Sequence, residues 1–215
     1  LIKVKPGQAG SVAAIDNAFA PLIANGDVAD GLPRQLYQIA KLIAGNATVQ
    51  GNRQIFFAQL GGFDTHANQI GGSVLVGNHA NLLKEVGDSL ACFHNAMKAM
   101  ALADAVTAFT QSDFGRTFTP NNSSGTDHAW GNQHLVVGGA VKGGLTYGTY
   151  PTLALGGPDD VGVDSWELQG RWIPTSSVDQ YAATLLAWFR ATDAQLDTVL
   201  PDLCNFGSAR TLGFL

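Results

Sequence analysis

Five histidines, His66, His79, His94, His128 and His134, fall between residues 66 and 134, and three of them stand in polar loops that follow or precede apolar runs. Asp64 and His66 are two residues apart in GGFDTHANQ, directly after the run RQIFFAQL. In extended backbone both side chains leave on the same side, as two ligands of one cation require. Asp127 and His128 are adjacent in the loop PNNSSGTDHAWGN, and His134 follows at the mouth of the next apolar run, HLVVGGAV. Two carboxylates and three imidazoles without a thiolate suit zinc, manganese or iron better than calcium. Asp113 and Arg116, in SDFGRT, also follow a β-rich run. Arg116 suits bidentate capture of an anionic oxygen, and Asp113 suits orientation of Arg116 or of a metal-bound imidazole; a simple ion pair between the two is the plainer alternative.

The remaining candidates carry less. His79 and His94 lie at or in a helical segment with no acidic partner at helical spacing, which suits ordinary surface or core roles. Ser112, Ser123 and Ser124 belong to no GxSxG elbow. GGAVKGG lacks the GK[ST] ending of a phosphate loop.

The elements that must position these residues are read from periodicity. Residues 11–24 and 31–44 carry apolar residues at helical spacing, with Asn25-Gly26 and Gly45-Asn46 as stops. Residues 53–60 read as a buried strand of a parallel sheet closed by Gly61-Gly62. A long helix is expected over 78–102, with Leu82, Leu83, Val86, Leu90, Phe93, Met97 and Met100 on one side. Short β runs are expected at 105–110 and after the 120–132 loop, a short hairpin around Tyr147 to Leu155, and helices over 176–191, led by a Ser cap, and near 193–200. The order strand, loop, helix, strand, loop, strand is that of an α/β domain with polar residues at strand ends lining a crevice.

Composition bounds the function classes. The 215 residues suffice for a core, with 46% hydrophobic and only 13% charged residues, and the 26 glycines cluster mid-chain in the loops that carry the candidate ligands. A net charge of −5 without a basic run argues against nucleic acid or an anionic membrane surface as partner. No apolar stretch approaches the roughly 18 residues a bilayer span needs. Cys92 and Cys204 allow one disulfide or two thiols equally. The start, LIKVKPGQAG, has neither an initiator Met nor a signal-peptide layout and reads as a cut end.

The segments GGFDTHANQ (61–69), TQSDFGRT (110–117), GTDHAWGNQHLVVGGAVKGG (125–144), GRWIPTSSVDQYAATLLAWF (170–189) and LGFL (212–215) resemble the DUF1501 family, in its order and spacing. The resemblance implies kinship with the alkaline phosphatase and sulfatase superfamily. That in turn implies an α/β three-layer α/β/α sandwich of alkaline-phosphatase-like type, holding one or two divalent metals at strand ends. By this likeness Asp64, His66 and His134 would hold one ion, and Asp127 and His128 the other. Zinc or manganese is favoured over iron, magnesium or calcium. The spacing of Asp64 and His66 departs from the superfamily's usual four, with Asn68 at the fourth position.

Family members are about twice as long and carry the nucleophile and a remaining ligand in their N-terminal half. The resemblance therefore implies that residues 1–215 are the C-terminal portion of one domain without internal boundary, partnered by an N-terminal half that is a separate or cleaved chain or is disordered. The expected activity is metal-dependent hydrolysis of phosphate or sulfate esters, with an anionic ester as substrate and a periplasmic or secreted location. The alternative is a non-catalytic exported binding or assembly protein on the same scaffold.

Overall fold

A computed structural model describes residues 3–49, 52–161 and 170–215. The chain forms two compact units, neither contiguous in sequence: residues 1–109, 123–125 and 136–140 make the first, and residues 110–122, 126–135 and 141–215 the second.

In the first unit, α1 (Ala13–Ala18) is shorter than its apolar spacing predicts. Pro21 explains this, because a proline inside a helix removes a donor and clashes with the preceding turn; the chain instead makes one tight 3-10 turn over Ala20–Leu22. Asn25 and Gly26, with φ of 53° and 74°, then form a hairpin turn rather than a helix stop. This turn joins β1 (Ile23–Ala24) to β2 (Asp27–Val28) in antiparallel register. The helix α2 (Leu32–Ala44) carries Pro33 in its first turn, where no donor is lost, and buries Leu32, Leu36, Tyr37 and Ala40. A single turn, α3 (Asn46–Val49), follows.

The long helix α4 (Asn78–Ala99) buries Ser89, Cys92, Phe93, Ala96 and Met97. Leu83, expected on the inner face, is 52% exposed. The helices pack with Ile15, Phe19 and Tyr37 into one core, to which Ala58, Leu60, Val106 and Ala108 add the inner faces of two extended segments. One of these is β3 (Thr107–Phe109), whose partner in the first unit is β6 (Val136–Gly138), antiparallel. The other, residues 53–60, joins no ladder among the described residues, so the expected buried strand of a parallel sheet is an extended segment with one open face.

In the second unit, β4 (Gly115–Arg116) pairs antiparallel with β5 (His128–Ala129). Pro151 interrupts the expected hairpin at 147–155, and no ladder forms there among the described residues. Residues 162–169 of that glycine-rich stretch lie outside the described residues. The helix α5 (Val178–Trp188) starts on a Ser177–Gln180 capping box, and α6 (Asp193–Val199) on the equivalent Thr192–Gln195 box. Ala183, Leu196 and Leu203 form the core beneath them. Cys92 is buried in the first unit and Cys204 exposed in the second, both as thiols.

Candidate metal-ligand and anion site

The turn after the 53–60 segment carries the first two candidate ligands, Asp64 and His66. Thr65 N–H bonds to the Phe63 carbonyl and His66 N–H to the Asp64 carbonyl, two successive i to i+2 turns. Thr65 points inward, buried, with its hydroxyl 2.8 Å from Gln69 Oε1. Asp64 and His66 therefore share the outer side, as their spacing predicts, and His66 Nε2 lies 2.9 Å from Asp64 Oδ1 with both side chains about half exposed. Two ligands on adjacent corners of a tetrahedral zinc site stand about 3.3 Å apart. The donor pair therefore fits a divalent cation with little movement.

A second strip of chain backs this turn. Asn68, in the left-handed conformation, and Gln69 donate their N–H groups to the carbonyls of Ser123 and Ser124. Gly125 lies flat against the turn: a Cβ there would stand 2.3 Å from the His66 carbonyl carbon and 2.5 Å from the Thr65 oxygen. Only glycine fits. Phe63 meets His79 edge-to-face at 5.9 Å, and the His79 N–H bonds to the Gln69 carbonyl, so His79 braces the loop from α4.

The other candidates belong to the second unit. Arg116 stands opposite His128 in the β4–β5 register, and Thr126, two residues before His128, shares that face. Arg116 Nε donates to Thr126 Oγ1 at 3.0 Å, and an Nη2 hydrogen goes to the Thr126 carbonyl. Phe114 stacks on the His128 ring at 4.6 Å, and the Arg116 guanidinium lies 5.6 Å from the same phenyl ring. Arg116 is thus oriented by Thr126 and Phe114, where the sequence pointed to Asp113; Asp113 is exposed.

Asp127 stands just before β5. Its Oδ1 accepts from Asn121 Nδ2 at 3.1 Å, and its backbone exchanges bonds with Thr117. His134 is half-buried, its ring stacked on Tyr181 at 5.2 Å, and burial pushes its pKa down. Tyr181 in turn donates to the Thr110 carbonyl and leans on Phe214 of the C-terminal LGFL motif. Burial raises the Tyr181 pKa, which keeps its phenol a hydrogen-bond donor. Phe114, Thr126 and Tyr181 were not singled out by sequence; a phenylalanine two residues before the arginine and a threonine two before the histidine were the available signals.

With this geometry in place, the sequence comparisons add one result. The profile of the family described as "Protein of unknown function (DUF1501)" matches residues 17–163, more than half of the chain, and the protein belongs to that family. No curated protein and no solved structure matches it.

Proposed function

We propose that the protein is the metal-binding part of a hydrolase acting on phosphate or sulfate esters, of the alkaline phosphatase and sulfatase kind. In this reading Asp64 and His66 are the first two ligands of a divalent cation, zinc or manganese. The supporting observation is their paired donor atoms at 2.9 Å on one exposed side of a turn that Gly125 holds in shape. His128 belongs to the second unit, where Phe114 stacks on the face of its ring, whereas a metal binds an imidazole through its edge.

A bound cation of this type supplies Lewis-acid polarisation of the ester oxygens and charge neutralisation. The chain's own residues bind and orient. Arg116, held by Thr126 within the second unit, carries the positive charge that an anionic ester calls for. Asp127 and His134, engaged with Asn121 and Tyr181, support the loops rather than ligate the same ion. The attacking group belongs to the N-terminal half that the superfamily likeness implies, carried on the remainder of an α/β/α sandwich and exported with it.

Elemental analysis of the protein after loading with zinc or manganese and desalting tests the binding reading. One or two ions per chain are expected, and Asp64→Asn and His66→Gln each lower affinity at least about tenfold. Absence of retained metal together with no hydrolysis of aryl phosphates or sulfates by the complete protein overturns the proposal.

A further inference from the structure

We infer that Thr65, the residue between the two ligands, is a positioning residue: its hydroxyl, held by Gln69, fixes the turn on which Asp64 and His66 meet a cation. This deepens the metal-binding reading and rests on it. Both ligand side chains are about half exposed, so packing does little to hold them before a cation arrives. Freedom removed in advance is freedom that binding need not remove, and affinity rises accordingly. The freedom that matters most is that of the backbone at Thr65, because rotation there swings its two neighbours apart.

Thr65 is turned into the protein, where its branched Cβ restricts the first side-chain torsion. Its single hydroxyl hydrogen has two acceptors in reach, Gln69 Oε1 at 2.8 Å and the Phe63 carbonyl at 3.5 Å. The first lies at the usual O–H···O separation and the second well outside it, so Gln69 takes the proton.

Gln69 is a firm point of attachment because its own backbone is held on two sides. Its N–H donates to the Ser124 carbonyl at 2.9 Å, and its carbonyl accepts from the His79 N–H at 3.1 Å. His79 is the second residue of α4, and the first four N–H groups of a helix have no partner within it. Gln69 thus joins the 123–125 strip to the start of a 22-residue helix. Through its side chain the same residue closes the loop 65–69 around His66. The Thr65 and Phe63 main chain contributes only the two short i to i+2 bonds, which span three residues each and reach nothing distant. The Thr65–Gln69 bond is what ties the ligand turn to the rest of the first unit.

Two measurements on the 215-residue chain test this, one with zinc or manganese and one without metal. By titration calorimetry, Thr65→Val, which keeps the shape and removes the hydroxyl, is expected to weaken metal binding about tenfold. Thr65→Ser, which keeps the hydroxyl, is expected to stay close to the parent. Gln69→Leu should match Thr65→Val, and the double variant should lose no more than either alone, because the two side chains act as one unit. In the metal-free chain, Thr65→Val is expected to speed amide hydrogen exchange at Thr65 and His66 and to leave the middle of α4 unchanged. A parent that binds neither metal, or binds equally well after Asp64→Asn, overturns the metal-binding reading and this role with it. A parent that binds through Asp64 while Thr65→Val binds as tightly overturns the positioning role alone. So does unchanged exchange at His66, whatever the metal result, and so does exchange that accelerates throughout α4, which marks a general loss of stability.

Discussion

Gly125 does at one atom what the ligand turn needs. With its missing Cβ it allows the 123–125 strip to lie on the backbone of Thr65 and His66. Gly125→Ala is expected to destabilise by about 3 kcal/mol or more, since the obstacle is backbone that cannot swing away. Gly26→Ala is the contrast: the left-handed turn has open space around it, so only the conformational penalty of about 1–2 kcal/mol applies. Urea denaturation of both variants measures the difference, and equal losses would mean that the close approach is relieved elsewhere. The spacing of Asp64 and His66 was enough to read their shared side, because alternation in extended backbone is a local property.

At the scale of elements, one side chain joins the start of α5 to the C-terminal segment. Gln180 Oε1 accepts from the Ser177 N–H, closing the capping box, while its Nε2 donates to the Ala209 carbonyl. Leu212 N–H bonds to Thr184 Oγ1 one turn further on. Ser177→Ala removes the cap alone and should cost about 1 kcal/mol. Gln180→Ala removes the reciprocal cap and the tertiary bond, and about 2–3 kcal/mol is expected from thermal unfolding. Helices such as α2, α4, α5 and α6 were legible because an apolar stripe at 3.6-residue spacing needs nothing distant, and α5 and α6 add capping boxes. Residues 53–60 were legible as extended but not as open. A run apolar on both faces reads as buried on both faces, and whether anything covers the second face is not a local property.

For the molecule as a whole, stability responds to pH through groups whose protonation differs between folded and unfolded chains. Asp16 is such a group. Partial burial opposes its ionisation, but the Gly7 N–H, the Tyr37 hydroxyl at 2.6 Å and Ser11 outweigh this, with Lys41 adding attraction, and hold its pKa below the usual carboxylate value. A carboxyl with a depressed folded pKa binds fewer protons folded than unfolded. Its contribution is therefore fully present above about pH 3.9 and is lost as pH falls through the folded value. Asp16→Asn is expected to flatten that part of the acid limb of the urea midpoint against pH and to leave the slope above about pH 5 unchanged. An acid limb identical to the parent's would show that Asp16 is not linked to unfolding.

The sequence by itself determined the helices, the extended segments, the family and the pairing of Asp64 with His66, all fixed by short-range periodicity or by motif. Tertiary structure alone decided that Arg116 is oriented by Thr126 and Phe114, that His134 is packed against Tyr181, and that residues 53–60 join no ladder among the described residues. Those outcomes depend on which distant segments come into contact, and backbone register rather than residue spacing sets such contacts.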